Sequence, residues 1–146
     1  MLSSLLPFGA GRSYASKPDD YNLISVEVGI ARIDGYDDTG FIVNDMQVEG
    51  AVLCYGDLVT LWRVKDLADI SLETLALIDL IKPAPALLVV GCGRSIRTLP
   101  EALLHGLREK GISVEALDTV NAVATFNILN QEGRKVVGAL LPLSAL

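Results

Sequence analysis

Apolar residues in the second half of the chain come in short runs that turn-forming residues separate. The run from Ala86 to Val90 is uninterrupted, begins after Pro85 and ends at Gly91-Cys92-Gly93. A short run that is β-branched towards its end and closed by glycines favours a strand buried on both faces over a helix. We therefore take residues 86–90 as the central strand of the fold.

A helix pattern follows this central strand. Thr98 and Glu101 have the spacing of a capping box, in which their side chains satisfy the first amides of a helix. Apolar positions then recur at helical spacing, and Gly111 is placed to end the helix in a left-handed conformation. The sequence thus predicts a first helix between Thr98 and Gly111.

A second unit of the same kind completes the chain. Residues 112–117 are predicted to form a strand, and Asp118 or Thr119 to cap a helix that ends before Gly133. Residues 135–141 form the last predicted strand. The pattern is a βαβαβ unit, in which parallel strands are joined by right-handed crossovers.

The first half of the chain has the period-two pattern of half-buried strands. Apolar and polar residues alternate through 24–30, and further strands are predicted at 41–43, 47–55 and 58–62. Gly50 lies inside the third of these segments and is predicted to form a bulge. Because short turns separate the strands, the first half is predicted to be an antiparallel meander.

A helix is predicted between the two halves. Ser71 can cap it, Glu73 lies in its first turn, and Pro83 ends it. Its apolar face would consist of Leu72, Leu75, Leu77, Ile78 and Ile81.

Together these elements predict an α+β fold in which an antiparallel meander packs on a βαβαβ unit. We expect the helices on one side of the sheet and the meander over much of the other side. No repeat or linker divides residues 19–146, so they are predicted to be a single domain.

Composition narrows the classes of function. The chain of 146 residues is 51% hydrophobic, and its mean hydropathy is +0.43. No run approaches the length of about 18 apolar residues that a membrane span needs, so the apolar excess is predicted to form core or a protein interface. The net charge of −6 argues against a nucleic-acid partner.

Residues 1–18 differ from the rest of the chain. They contain no acidic residue and carry Arg12 and Lys17, so this segment has a charge of +2 and the remainder −8. An acid-poor, serine-containing, apolar and basic segment is typical of a mitochondrial transit peptide, and Arg12 has the spacing of a processing site. The alternative is a disordered terminus.

The loop after the central strand is the first candidate ligand site. Gly91, Cys92, Gly93 and Arg94 lie between a strand and a helix, where glycines let a backbone approach a pyrophosphate. The third glycine of a dinucleotide motif is replaced by Ile96. A simple glycine turn is therefore favoured over a cofactor site.

A second group of polar residues is predicted to meet this loop. Asp118 and Thr119 leave the next strand at the same carboxyl edge as this loop. One polar cleft can therefore be lined by Arg94, Arg97, Asp118, Thr119 and Asn121. The simpler interpretation, which we favour, is that Asp118 or Thr119 caps the helix and the arginines are solvated.

The inventory of reactive residues is small. Cys54 and Cys92 are far apart, and the single histidine, His105, falls in the middle of a predicted helix. These residues do not make a zinc motif, and a Cys92 nucleophile would lack an obvious base. We predict no metal, no cofactor and no catalytic residues.

Two apolar features point to contacts with other proteins. Trp62 is predicted to be a core residue, or else the anchor for a partner. Leu143 and Leu146 lie beyond Pro142 and have no evident core to enter, which favours a protein-contact surface.

Many short stretches in the same order resemble one known family. They are Gly35-Tyr36, Gly40-Phe41-Ile42-Val43-Asn44, Glu49-Gly50-Ala51-Val52-Leu53, Val59-Thr60-Leu61-Trp62, Pro83-Ala84-Pro85, Leu88-Val89-Val90-Gly91-Cys92-Gly93, Gly111-Ile112-Ser113-Val114-Glu115, Asp118-Thr119, Ala124-Thr125-Phe126-Asn127-Ile128-Leu129, Glu132-Gly133-Arg134 and Ala139-Leu140-Leu141-Pro142. Together they resemble the assembly factor 3 family of mitochondrial respiratory complex I, with its bacterial and archaeal relatives of the Mth938-like domain.

The resemblance implies a three-layer β and β/α fold and a non-catalytic role. It implies an assembly factor or chaperone for the matrix arm of complex I, acting on an early intermediate with a second assembly factor and matrix-arm subunits. It implies the mitochondrial matrix as the location, with peripheral association at the inner membrane. The alternative is a small nucleotide- or metabolite-binding protein that uses the carboxyl-edge cleft near Gly91 to Arg94 and Asp118.

Overall fold

The computed structural model describes residues 23–24 and 29–146. The predicted transit segment, residues 1–18, and most of the predicted strand at 24–30 lie outside these described residues. Among the described residues, no helix combines the length and the apolar character that crossing a membrane requires.

The elements follow one another along the chain as nine strands, two α-helices and two short 3₁₀ helices in the described residues. They are β1 (Leu23–Ile24), β2 (Ile33–Tyr36), β3 (Gly40–Val43), β4 (Met46–Glu49), β5 (Ala51–Tyr55), β6 (Leu58–Trp62), the 3₁₀ helices Leu67–Asp69 and Ala76–Leu80, β7 (Leu87–Gly91), α1 (Glu101–Glu109), β8 (Ser113–Leu117), α2 (Thr119–Gln131) and β9 (Val136–Leu140).

A six-stranded mixed sheet, in the order β1-β6-β5-β9-β7-β8, forms the centre of the molecule. Strand β7 pairs parallel with both β8 and β9, as the predicted βαβαβ unit requires. Strand β9 also pairs antiparallel with β5 and so joins the two halves of the chain. The predicted α+β class and the buried central strand are confirmed.

The antiparallel strands of the first half divide between two sheets. Strands β2, β3 and β4 form a separate three-stranded sheet, whereas β5 and β6 belong to the large one. The prediction of one strand over 47–55 with a bulge is wrong, because Gly50 has a φ of +87° and separates β4 from β5. A left-handed backbone at this position turns the chain from one layer into the next.

The two α-helices lie on opposite faces of the large sheet, and the expectation of helices on one side is wrong. Leu103 and Leu107 of α1 pack on one face, whereas Ala122 and Phe126 of α2 pack on the other. Strands β8 and β9 flank β7 on opposite sides, so the two crossovers run in opposite directions. Right-handed crossovers in opposite directions place their helices on opposite faces.

The predicted helix after Ser71 is wrong, because the segment forms 3₁₀ turns. The amide of Leu75 donates to Leu72 O at 3.2 Å, and that of Ile78 donates to Leu75 O at 3.0 Å. Leu75, Ile78 and Ile81 are all buried, and their spacing of three residues fits a 3₁₀ period. Trp62, a core residue as predicted, donates from its indole N–H to Thr74 O at 2.7 Å and holds this segment.

The capping box predicted at Thr98 is also wrong. Helix α1 begins at Glu101, and its N-cap is Pro100, without a capping side chain. Because a residue before proline disfavours the helical conformation, Leu99 cannot serve as the first helical residue. The Glu101 carboxylate instead pairs with Arg108, at 2.7 Å.

The predicted ends of the two α-helices are confirmed. Gly111 and Gly133 follow α1 and α2 with φ values of +80° and +79°. Asp118 is the N-cap of α2, where its carboxylate accepts from the amide of Asn121 at 3.2 Å. These glycines and this aspartate act through local backbone geometry, which is why the sequence pattern locates them.

Two asparagines of α2 attach the start of the small sheet to the core. The Asn127 side chain accepts from Ile33 N and donates to Ile33 O, both at 2.9 Å, as a neighbouring strand would do. The amide nitrogen of Asn130, which is 3% exposed, donates to Ala31 O at 3.1 Å and Gly56 O at 3.0 Å. The second face of the large sheet therefore carries both α2 and the three-stranded sheet.

We expect Asn130→Ala to lower the free energy of unfolding by about 1–3 kcal/mol, because it leaves two carbonyls without their side-chain donor. The exposed Asn121 on the same helix is the control, since Asn121→Ala makes the same gain in helix propensity and keeps the backbone cap bond. Urea unfolding of both variants measures the difference, and equal losses would contradict this role for Asn130.

Candidate functional site

The carboxyl ends of β7 and β8 meet at one edge of the sheet, as predicted. The amide of Gly93 donates to Thr119 Oγ1 at 2.9 Å, and the amide of Thr119 donates to Gly93 O at 2.8 Å. The amide of Cys92 donates to Leu117 O at 2.8 Å. The structure therefore brings the glycine loop and the start of α2 into direct contact, and we call this region the carboxyl edge.

Thr119 connects three chain segments at the carboxyl edge. Its side chain is fully buried, and its hydroxyl accepts from Gly93 N while donating to Leu141 O at 2.6 Å. The end of β7, the start of α2 and the residue after β9 are thereby held together. Sequence reasoning weighed Thr119 as a helix cap or cleft residue, but its hydroxyl serves this internal connection.

Protein atoms fill the space beside both glycines. A Cβ at Gly91 would lie 3.0 Å from Thr119 Oγ1 and 3.2 Å from a Leu140 methyl carbon. A Cβ at Gly93, whose φ is +100°, would lie 2.9 Å from Ala145 O. A ligand that approached this backbone would have to displace those atoms. Small-molecule binding here stays the alternative to a simple glycine turn, and a thermal-shift screen tests it.

Two charged candidates of the carboxyl edge, Arg94 and Asp118, have partners from the protein itself. Arg94 forms an ion pair with Asp38, and Asp118 accepts from the Asn121 side chain at 2.7 Å. The hydrogen bond from Asn121 holds the pKa of the Asp118 carboxyl below its usual value. Arg97 is exposed, while its carbonyl oxygen lies 3.9 Å from the sulfur of Cys92.

Both cysteines are buried and unpaired. Burial raises the pKa of the Cys54 thiol to about 12 and also raises that of Cys92, against a smaller opposing effect from Arg97. A thiol with a raised pKa carries little of the thiolate that acts as a nucleophile. Within residues 23–24 and 29–146, no group of three or more His, Cys, Asp or Glu side chains is arranged to hold a metal ion.

The C-terminal residues of the chain fold back onto this edge. Ala145 is buried, and the amide of Leu146 donates to Asp66 Oδ1 at 2.9 Å while its oxygen accepts from Leu67 N at 2.8 Å. The side chain of Leu146 itself is 72% exposed. The sequence pattern missed Asp66 and Ala145, because no local signal identifies a contact across 80 residues.

Exposed apolar side chains lie on the segments that meet at the carboxyl edge. Ile96, in the loop after β7, is 63% exposed, and Val120, in the first turn of α2, is 42% exposed. Leu146 adds a third exposed apolar side chain at this end of the molecule, where Arg94 and Arg97 are also exposed. Contacts with other proteins commonly bury such side chains.

Solved structures and a family description match this fold. The family described as "Protein of unknown function (DUF498/DUF598)" matches residues 33–141. A crystal structure from Bordetella parapertussis is 35% identical, covers 80% of this chain and 98% of that chain, and has a TM-score of 0.71. A solution NMR structure from Bordetella pertussis, titled a Mth938-like domain, is 28% identical, covers 92% and 94% of the two chains, and has a TM-score of 0.68.

Curated relatives extend the match. A Bos taurus protein, named NADH dehydrogenase (ubiquinone) 1 alpha subcomplex assembly factor 3, is 35% identical in an alignment that covers 95% of this chain and 80% of that protein. The Xenopus tropicalis protein of the same name is 39% identical over 110 residues, 75% of this chain and 60% of that protein. An uncharacterized Rhodobacter capsulatus protein is 30% identical over 115 residues, 79% and 87% of the two chains.

Fold and matches together define an α+β domain of the Mth938-like class. The chain belongs to the family of the complex I assembly factor 3 proteins.

We expect Thr119→Val to lower the free energy of unfolding by about 2–4 kcal/mol, because it leaves the buried Gly93 amide and Leu141 carbonyl without a partner while keeping the side-chain volume. Thr119→Ser keeps the hydroxyl and is the control, with an expected loss of about 1 kcal/mol for the missing methyl group. Denaturant unfolding compares the two, and equal losses would show that the hydroxyl is dispensable.

Stability is expected to fall above pH 9 through Cys54. Its pKa is about 12 in the folded protein against 9.0 as the reference value, so the folded state keeps a proton that the unfolded state loses. The unfolded state then binds fewer protons, and stability declines as pH rises from 9 to about 12, by up to about 1.4 kcal/mol per pH unit.

Cys54→Ala isolates this contribution, because the lysines and tyrosines that titrate in the same range stay unchanged. Urea unfolding at pH 8 and pH 10.5, under reducing conditions, should show a smaller loss of stability for the variant than for the natural chain. The same loss in both proteins would contradict the assignment to Cys54.

Proposed function

We propose that this chain is an assembly factor of mitochondrial respiratory complex I, which acts by contacts with other proteins and not by catalysis. The observation that carries the proposal is the 35% identity over 95% of the chain with a protein named as assembly factor 3 of this complex. A relationship that extends over nearly the whole domain supports a common role, in addition to a common fold.

The finer proposal concerns the partners and the location. We propose that the chain acts on an early intermediate of the matrix arm, together with matrix-arm subunits and a second assembly factor. Its location would be the mitochondrial matrix, with peripheral association at the inner membrane through those partners. The acid-free residues 1–18, with Arg12 and Lys17, support delivery by a transit peptide.

The polar side chains of the candidate site support a non-catalytic role, because the structure shows other functions for them. The Thr119 hydroxyl joins three segments, Asp118 caps a helix, and Cys92 is buried with a raised pKa. Thr119 and Asp118 therefore have structural roles, and the raised pKa of Cys92 makes its thiol a poor nucleophile. The exposed apolar side chains Ile96 and Leu146 fit a protein that works through its surface.

Removing the protein from cells that encode it should lower the amount of fully assembled complex I and leave the other respiratory complexes unchanged. Native gel electrophoresis with in-gel activity measures both, and re-expression of the full chain is the control that should restore assembly.

Affinity purification of the tagged full chain from mitochondria supplies the second measurement. We expect mass spectrometry to find matrix-arm subunits at a level well above a matrix protein with the same tag. Normal complex I in the deleted cells, with no such subunits recovered, would overturn the proposal.

A further inference from the structure

Strand β8 forms one edge of the six-stranded sheet. It pairs with β7 on one side, and no strand among the described residues pairs with it on the other. An edge strand presents backbone N–H and C=O groups that another extended chain can bind. The five residues from Ser113 to Leu117 are long enough for such pairing.

The direction of the backbone groups in β8 follows from its bonds to β7. Ser113 N donates to Ala86 O at 3.0 Å, and Leu117 O accepts from Cys92 N at 2.8 Å. Because the backbone groups of successive residues in a strand point to opposite sides, Glu115 also bonds towards β7. The N–H and C=O groups of Val114 and Ala116 therefore point away from the sheet and form an open ladder of two donors and two acceptors.

The side chains of β8 leave this ladder accessible. Ser113 and Glu115 are exposed, while Val114 and Ala116 are partly buried against the face that carries α1. Natural edges are commonly protected by proline, lysine or a bulge. Strand β8 contains neither proline nor lysine, and its register with β7 runs without a shift from Ser113 to Leu117.

Glu115 decides between a second copy of this chain and a different partner. Ile112 N already donates to Leu107 O, so the open ladder extends no further in that direction. Two copies could pair antiparallel through the open backbone groups of both Val114 and Ala116. Val114 of one copy would then lie opposite Ala116 of the other, and the two Glu115 residues would lie opposite each other. In an antiparallel pair that position brings the two side chains closest, and like charges there are destabilising.

We propose that β8 is the docking edge for an extended segment of a partner protein, which adds antiparallel to β8 and carries a basic side chain opposite Glu115. Charge complementarity with Glu115 selects this partner over a second copy, and the net charge of −6 acts in the same direction. The identity of the partner as a complex I component rests on the proposed function, whereas the chemistry of the edge does not.

Val114→Pro in the full chain tests the ladder. Proline removes an N–H that points away from the sheet, so no bond to β7 is lost, and proline is tolerated at such edge positions. Val114→Thr keeps the N–H and is the matched control. With folding checked by circular dichroism and thermal unfolding, we expect Val114→Pro to recover about 10-fold less of the matrix-arm subunits, and Val114→Thr to recover the natural amount.

Glu115→Lys tests the charge at an exposed position and keeps the test valid if Val114→Pro does not fold. We expect it to reduce recovery about 10-fold, because it opposes a basic partner side chain, and Glu115→Gln to reduce it less. Unchanged recovery with folded Val114→Pro and with Glu115→Lys would overturn the inference and leave the proposed function standing.

If the natural chain recovers no complex I subunit and the deleted cells assemble complex I normally, the proposed function fails and a peptide titration decides the inference. The probes are two short peptides that alternate Thr and Val around a central Lys or a central Glu. In nuclear magnetic resonance spectra of the full chain, the Lys peptide should shift the amides of Val114 and Ala116 more than the Glu peptide does. Equal or absent shifts overturn the proposal, as does a dimer that Val114→Pro converts to a monomer in sedimentation.

Discussion

The pairing of β9 with two neighbours is the interaction on which the rest of the structure depends. All five residues of β9 are buried, and the strand bonds antiparallel to β5 and parallel to β7. Without it, the strands of the first half and the βαβ unit would be separate sheets with open edges. The two hydrophobic cores, one on each face of the sheet, both contain residues of β9 and its flanks. Stability of the domain is therefore tied to contacts between residues far apart in sequence.

The elements that the sequence predicted well are those with a local cause. The run from Leu87 to Gly91 is apolar and short, Asp118 precedes its helix, and Gly111 and Gly133 take the left-handed backbone that ends each helix. The failures have causes that local patterns do not contain. The sequence after Ser71 allows both a helix and 3₁₀ turns, and burial at a spacing of three residues decides between them. The opposite faces of α1 and α2 follow from strand order, which a linear pattern does not show.

The position of the carboxyl edge could be predicted from the sequence, but the contacts formed there could not. Parallel strands place the loop after β7 beside the start of α2, and Gly93 and Thr119 do meet there. The pattern did not show that residues after Pro142 would cover this loop. Ala145 and Gly93 are far apart in sequence, and only the tertiary fold brings them together. The pattern also did not show that the Asn130 side chain donates to Gly56 O, because a single asparagine in a helix does not change the hydrophobic periodicity. Within the predicted cleft, Gly93 bonds to Thr119 and Asp118 bonds to Asn121, whereas Arg94 pairs with Asp38 outside it.

The position of β9 in chain order has a consequence for how the protein is made and moved. A chain that emerges from a ribosome, or is threaded through a membrane pore, presents its residues one after another, and β9 comes after β5, β7 and both helices. Until that last strand arrives, β5 and β7 each keep an open inner edge, next to apolar faces that the finished sheet hides. Such intermediates tend to associate with one another. The interval before β9 pairs is therefore the stage at which this domain is most exposed to association with other chains.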